Sequence, residues 1–325
     1  MPNEDIKIFG GSTGKSFAQK MCDYLGIDLG KSEVFKFSDG NIFVKICETV
    51  RDHDVYLVQP IGLNPNDEFT EILFWMDAFK RASANSVTAI IPYFGYAKGD
   101  KKDEPRVSIR ARVCAECIEL AGADRILTMD LHSPQIQGFF KKPVDHLFAL
   151  PILCEYVKSL NIENLVVVSP DVGFAKQARN FASNLQVQVA IGDKTRKSHD
   201  EKAKVLEIIG NVKGKNALIV DDFSISGGTL VDLANGLKER GAQRIFALVS
   251  HHMLSRSGAE KVENSPIELL ISTDSVLNES IISNKTKIVS VAPLFAEAIV
   301  RIHNRESVSS LFDSAPHTVY KKSLD

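Results

Sequence analysis

Two carboxylates stand side by side in "NALIVDDFSISGGTLVDLANGLKERGA", residues 216 to 242. Asp221 and Asp222 close the apolar run 217–220, and a loop of mostly small residues follows from Ser224 to Thr229. Leu230, Val231, Leu233, Ala234 and Leu237 then recur at helical spacing. The pattern predicts a buried strand, an acidic strand end, a Gly-rich turn and a helix. Free N–H groups at such a helix start gather an anion, and glycines let it come close. The turn Ser226-Gly227-Gly228-Thr229 therefore suits a phosphate. Asp221 and Asp222 would repel that phosphate, so sugar hydroxyls or a metal-bound water are their natural partners. Ribose 5-phosphate is the simplest ligand with hydroxyls at one end and a phosphate at the other. An ordinary acidic strand-turn-helix has a similar appearance. The paired carboxylates at the strand end favour a site, because open α/β sheets bind ligands at that edge.

Other stretches carry chemistry too. "TMDLHSPQIQGFF" sets Asp130 and His132 two apart after an apolar run. Alternate residues of an extended segment point the same way, so both could reach one metal ion. "VVVSPDVGFAKQA" brings Asp171 to the end of another apolar run. Oxygen and imidazole donors without thiolates favour Mg²⁺, above all where phosphate oxygens complete its shell. Each residue alone reads as a polar strand end; the metal reading rests on all three. "IGDKTRKSHDEKAK" (191–204) is a polar run with Lys194, Arg196 and Lys197. Such a run is usually a solvated surface, yet a mobile basic loop beside a phosphate can neutralise a transition state. "YAKGDKKDEPR", with Lys98, Lys101, Lys102 and Arg106, has the same two readings.

Two motifs point elsewhere. "GGSTGKS" (10–16) resembles a nucleotide-binding P-loop, but Gly10 and Gly14 enclose three residues where that motif needs four. Cys114 and Cys117 make a C-x-x-C inside "ARVCAECIELAGA", which reads as a helix packing its apolar side. With no second cysteine pair, no metal or redox role is expected there.

The chain has 325 residues, 44% of them hydrophobic and 25% charged, with a net charge of −2. That is a globular composition long enough for two domains, with no nucleic-acid or membrane surface implied. The start "MPNEDIKIFG" lacks a signal-peptide pattern, and five cysteines form no disulfide framework, so a reducing cytoplasm is expected. Strand-like runs at 6–9, 55–58, 87–91, 126–129, 165–168, 217–220 and 245–249 alternate with helical ones, which predicts parallel sheets with crossover helices. "DEFTEILFWMDAFKRA" is one such helix, with Trp75 in its apolar stripe. "GADRILTMDLH" (122–132) and "GAQRIFALVSH" (241–251) echo each other, which suggests two copies of one α/β unit with a boundary near "PVDHLFALP".

These stretches together resemble the ribose-phosphate pyrophosphokinases, also called phosphoribosyl pyrophosphate synthetases. The resemblance runs from about residue 6 to about residue 312, through "FSDGN", "DAFKRASA", "PYFGYAKGDKKDEPR", "MDLHSPQIQGFF", "VVVSPD", "DDFSISGGT" and "ESVSSLF". It implies an α/β fold of two tandem phosphoribosyltransferase-like domains, each a mainly parallel sheet flanked by helices. Residues 1–147 would form the ATP side, with 306–325 packing on it, and 148–305 the ribose 5-phosphate side. The implied reaction moves the β,γ-diphosphoryl group of Mg-ATP to the C1 hydroxyl of ribose 5-phosphate, giving phosphoribosyl pyrophosphate and AMP. By the same resemblance Ser226, Gly227, Gly228 and Thr229 hold the 5-phosphate, Asp221 and Asp222 take the ribose hydroxyls, and Ser224 and Ile225 complete the ribose 5-phosphate site. His132 and Asp171 bind Mg²⁺, with Asp130 a further candidate, and Lys194 and Arg196 stabilise the transferring group. Phe37, Asp39 and Asn41 of a neighbouring subunit meet ATP held against Lys98, Gly99, Asp100, Lys101 and His132. Thr49, Arg51, Ser83, Arg106, Ser307 and Ser309 match a second anion site between subunits, where phosphate activates and ADP inhibits. A cytoplasmic homo-oligomer, a hexamer built from dimers, is implied.

The chain also departs from the family's usual residues. Asn41 stands for Glu, Lys98-Gly99 for Arg-Gln, Phe174 for Gly, and Ile225-Ser226 for Asp-Thr. Weaker discrimination among purine triphosphates is therefore expected. Ile225 and Phe174 leave open a related diphosphotransferase whose ribose acceptor carries a larger 5-substituent. A non-catalytic regulatory homologue is a third reading, against which Lys194, Arg196 and Asp171 stand.

Overall fold

The computed structural model describes residues 5–196, 204–276 and 281–324. It divides into two compact units, Met1–Phe148 with Ser290–Asp325, and Ala149–Val289.

The first unit contains β1 (Ile6–Gly10), β2 (Ser32–Lys36), β3 (Ile42–Ile46), β4 (Asp54–Val58), β5 (Ser86–Ile91), β6 (Arg125–Met129) and β7 (Val144–Leu147). Five of them form a parallel sheet in the order β1-β4-β5-β6-β7, while β2 and β3 pair antiparallel as a separate hairpin. "DVYLV" and "SVTAII" are apolar almost throughout because both faces of these central strands are covered. Helix Pro65–Arg81 starts on a proline, carries Asp67 and Glu68 in its first turn and ends on Lys80 and Arg81, as its dipole favours. It buries Ile72, Trp75, Met76 and Phe79, and Trp75 stacks on Phe79 at 5.3 Å. Trp75 is thus core, as the stripe predicts.

Helix Ala292–His303 also belongs to this unit, whereas the sequence reading kept 290–305 with the second half. Phe295 meets Phe17 edge-on at 5.3 Å, and His303 Nδ1 lies 2.9 Å from the Asp54 carboxylate. Those long-range contacts have no local sequence signature.

The second unit contains β8 (Leu165–Ser169), β9 (Gln188–Arg196), β10 (Lys204–Ile209), β11 (Asn216–Ser224), β12 (Ile245–His252), β13 (Ile267–Thr273) and β14 (Thr286–Val289). Their order is β10-β9-β8-β11-β12-β13-β14, parallel except for the β9–β10 pair. From β8 the chain steps one way to β9 and β10, then crosses back to β11 and onward. The strand order therefore reverses between β8 and β11, and the carboxyl ends of those two strands flank a crevice where α/β sheets take ligands. In the five-stranded sheet of the first unit the order runs one way without such a reversal.

Candidate active site

Asp221 and Asp222 sit at that switch point. β11 does not stop at Val220 as the sequence suggests; it continues to Ser224. Its pairing with β8 ends at Ile219, but β12 accompanies it as far as the Ser224–His252 pair. The two aspartates thus ride on a strand that outruns one neighbour and is supported by the other. Both are half-buried. Asp221 Oδ1 accepts from the amide of Asp222 at 2.9 Å, and Asp222 Oδ1 from the amide of Phe223 at 2.8 Å. Burial, then the charge of Asp222, then that of Asp171, push the Asp221 carboxyl well above the usual carboxylate range. Asp171 lies just past the end of β8, exposed, with Oδ1 accepting from Phe174 N at 2.9 Å. The adjoining carboxylates Asp221 and Asp222, with the charge of Asp171 acting on the first, lie where positive charge or hydroxyl donors would relieve their repulsion.

The turn after β11 is shaped for close approach. Gly227 adopts φ 69°, the left-handed region, and the helix Gly228–Glu239 begins immediately after it. Ser226 Oγ accepts from Gly228 N at 3.4 Å, and Leu230, Leu233, Ala234 and Leu237 bury the helix's inner side. The turn rests on helix Arg256–Glu263. A Cβ on Gly258 would lie 2.7 Å from the Ile225 carbonyl oxygen and 3.1 Å from the Ser226 carbonyl carbon. Ser255 donates its amide to Ile225 O at 2.9 Å, while its hydroxyl accepts from Gly258 N at 3.2 Å and caps that helix. Gly258 and Ser255 are missing from the sequence reading. The available signal is a Ser three residues before a Gly inside a helical pattern.

Lys194 and Arg196 belong to β9, paired with Leu206 and Lys204 of β10. The stretch to Arg196 is therefore strand rather than the loop expected, because β10 supplies an antiparallel partner. Their side chains, and residues 197–203, lie outside the described residues.

In the first unit, β6 ends at Met129 and Asp130 takes φ 41°. The extended alternation expected for Asp130 and His132 does not continue past the strand. Leu131 is nearly buried and donates its amide to His146 Nε2 at 2.9 Å, which leaves His132 exposed on the following turn and Asp130 half-buried. The echo between the two halves diverges here: β12 runs on through His251 and His252, where β6 stops. The run after β5 forms a tight turn at Ala97–Gly99, with Lys98 and Lys101 exposed, Gly99 buried and Asp100 half-buried.

Phe37, Asp39 and Asn41 lie together on the exposed turn between β2 and β3. Asn41 donates its amide to Asp39 Oδ1 at 3.0 Å and its side-chain amide to Oδ2 at 2.7 Å, which lowers the Asp39 carboxyl below its usual value. Phe37 packs edge-on against Phe35 at 4.9 Å.

The six residues matched to a second anion site fall in four stretches of the first unit. Asp52, beside Arg51, donates its amide to the Ser83 carbonyl at 3.1 Å. Ser307 and Ser309 share a hydroxyl contact at 2.7 Å, and Arg301 Nη1 reaches the Ser307 carbonyl at 3.4 Å. The His303–Asp54 contact ties that segment to the turn after Thr49 and Arg51. Arg106 is exposed with φ 66°, and no hydrogen bond or ion pair joins its side chain to the others among the described residues.

"GGSTGKS" closes on an internal anion. Ser12 gives its amide, at 2.8 Å, and its hydroxyl to the buried carboxylate of Glu71. The donors that a P-loop offers to phosphate are thus engaged by the protein itself. Cys114 is core, and burial pushes its thiol up to about 11. Among the described residues no three His, Cys, Asp or Glu side chains gather closely enough to hold a metal by themselves, and no helix is long and apolar enough to cross a membrane.

Known proteins match this arrangement along almost the whole chain. The family described as the N-terminal domain of ribose phosphate pyrophosphokinase matches residues 6–122, and the phosphoribosyl synthetase-associated domain matches residues 197–313. The ribose-phosphate pyrophosphokinase of Chlorobaculum tepidum is 46% identical over 310 residues, covering 95% of each protein. That of Bacillus subtilis is 42% identical over 311 residues, covering 95% of this chain and 98% of the other. The crystal structure of phosphoribosylpyrophosphate synthetase from Mycobacterium smegmatis superposes with a TM-score of 0.87 at 33% identity, covering 93% of this chain and all of that one. With paired aspartates and a Gly-Gly helix start at the switch point, and with relatives of this extent, the chain belongs to the ribose-phosphate pyrophosphokinase family.

Proposed function

We propose that this chain transfers the β,γ-diphosphoryl group of ATP to the C1 hydroxyl of ribose 5-phosphate, releasing AMP. The observation that carries the reading is the pairing of Asp221 and Asp222 with the Gly227–Gly228 helix start at the β8–β11 switch point. The helix start receives the 5-phosphate through backbone N–H groups, and the carboxylates accept from the ribose hydroxyls. The sugar is thereby fixed at both ends, which is the main demand of phosphoryl transfer. Lys194 and Arg196 stabilise charge on the group in flight. Phe37, Asp39 and Asn41 of a neighbouring subunit meet the nucleotide lying against Lys98, Gly99, Asp100 and Lys101, so a homo-oligomer, a hexamer built from dimers, completes the site. Thr49, Arg51, Ser83, Arg106, Ser307 and Ser309 form a phosphate- and ADP-responsive site in that assembly.

The donors suit Mg²⁺: carboxylates at Asp130 and Asp171 and an imidazole at His132, with no thiolate. When bound, Mg²⁺ neutralises phosphate charge and polarises the reacting phosphorus. Ile225, 48% exposed beside the turn, supports a second reading in which the acceptor carries a larger 5-substituent. AMP formation measured with and without ribose 5-phosphate tests the first reading. Formation that ignores ribose 5-phosphate but responds to a 5-substituted ribose would replace it with the second.

A further inference from the structure

Gly99 and Arg110 occupy one place. A Cβ on Gly99 would lie 2.6 Å from Arg110 Nε, 2.9 Å from Arg110 Cβ and 3.3 Å from Arg110 Cζ. The Arg110 side chain therefore crosses directly over the Gly99 backbone, and a side chain at residue 99 would have to displace it. Arg110 is the first residue of helix Arg110–Ala121 and is exposed. Asp100, Asp103 and Glu104 share the preceding loop, yet among the described residues no carboxylate pairs with its guanidinium. Two positions along the helix, Arg112 is paired with Glu116 at 2.8 Å. Arg110 thus lays a donor fork across the loop, with no hydrogen-bond or ion-pair partner for it among the described residues.

We propose that Arg110 contacts the phosphate chain of the nucleotide donor, and that Gly99 is glycine so that the guanidinium can reach it. The inference rests on residues 98–101 being the nucleotide loop. The charge decides the ligand part: a guanidinium matches phosphate oxygens in a planar, two-pronged way, whereas the purine is neutral. The loop then trades a neutral side chain at residue 99 for a cation delivered from the neighbouring helix. Donor affinity is accordingly set by phosphate number more than by base identity.

Steady-state kinetics and calorimetric binding on the full chain test this. Arg110→Ala raises KM for ATP and for GTP about tenfold, near the worth of one charge-assisted hydrogen bond, with KM for ribose 5-phosphate unchanged. Binding of adenosine, which carries no phosphate, is unaffected, and Arg110→Lys recovers part of the loss. Gly99→Ala, by displacing the side chain, imitates Arg110→Ala and adds little in the double variant. Circular dichroism confirms that each variant is folded. An unchanged KM for ATP in Arg110→Ala overturns the proposal, as does a loss confined to one base, or a Gly99→Ala effect of equal size in both backgrounds. Lys101→Ala separates the two levels. If it weakens ATP binding while Arg110→Ala does not, only the Arg110 contact fails. If neither variant matters, the nucleotide-loop reading fails with it.

Discussion

Ser12 donates both its amide and its hydroxyl to Glu71, a carboxylate 59 residues further along, and Trp75 Nε1 donates to the same group at 3.0 Å. A loop that resembles a phosphate cradle is therefore satisfied from within. Glu71→Ala leaves three donors without an acceptor and is expected to destabilise the fold by about 3 kcal/mol, read by denaturant unfolding. Ser12→Ala leaves KM for ATP unchanged. A tenfold rise in that KM would restore the phosphate-binding reading of the loop.

Gly258 bears on the ribose 5-phosphate turn from behind. The methyl of Gly258→Ala meets the Ile225 carbonyl and displaces the turn that precedes Gly227. KM for ribose 5-phosphate is expected to rise about tenfold, the effect of weakening one charged hydrogen bond, while KM for ATP holds. Equal KM values in the variant and parent would show that the turn does not bind the acceptor.

Asp54 predicts an acid-dependent stability. Burial alone would raise its pKa, but hydrogen bonds from Ser86, Asn85 and His303 outweigh that and hold it below the usual value. A carboxylate depressed in the folded state stabilises fully above its unfolded pKa of about 3.9, and the benefit is lost as pH falls through the lower folded value. Asp54→Ala should therefore destabilise most near neutrality, and its difference from the parent should shrink below about pH 4. A difference independent of pH would assign the loss to packing instead.

Catalysis supplies a fourth expectation. Lys194→Ala and Arg196→Ala each lower kcat about a thousand-fold with folding intact, because each acts on charge that develops in the transition state. His132→Ala raises the Mg²⁺ requirement, and excess chelator abolishes turnover in the parent enzyme. Near-normal turnover in the Lys194 variant, or activity that survives chelation, would remove those roles.

Asn41 is expected to set base selectivity through Asp39. It donates its backbone amide and its side-chain amide to that carboxylate, and Asn41→Glu would keep the first donor but replace the second with a like charge. The parent should discriminate weakly between ATP and GTP, and the variant should shift the ratio of their kcat/KM values. A strong ATP preference in the parent, untouched by Asn41→Glu, would contradict this.

Much of this protein is written locally in its sequence. Apolar runs such as 87–91 and 217–220 are strands because a doubly covered parallel strand must be apolar on both faces. The Asp221-Asp222 pair and the Gly227-Gly228 turn are legible because one strand, one turn and one helix hold them. Tertiary structure decided the rest. β11 outlasts Val220 because β12 runs beside it, and 191–196 is strand because β10 pairs with it. Helix Ala292–His303 joins the first unit through contacts to Phe17 and Asp54. Glu71 fills the Ser12 loop, Gly258 backs the Ile225 carbonyl, and Arg110 covers Gly99. Each of these depends on two segments meeting in space, and spacing along one segment carries no record of what the other will bring to it.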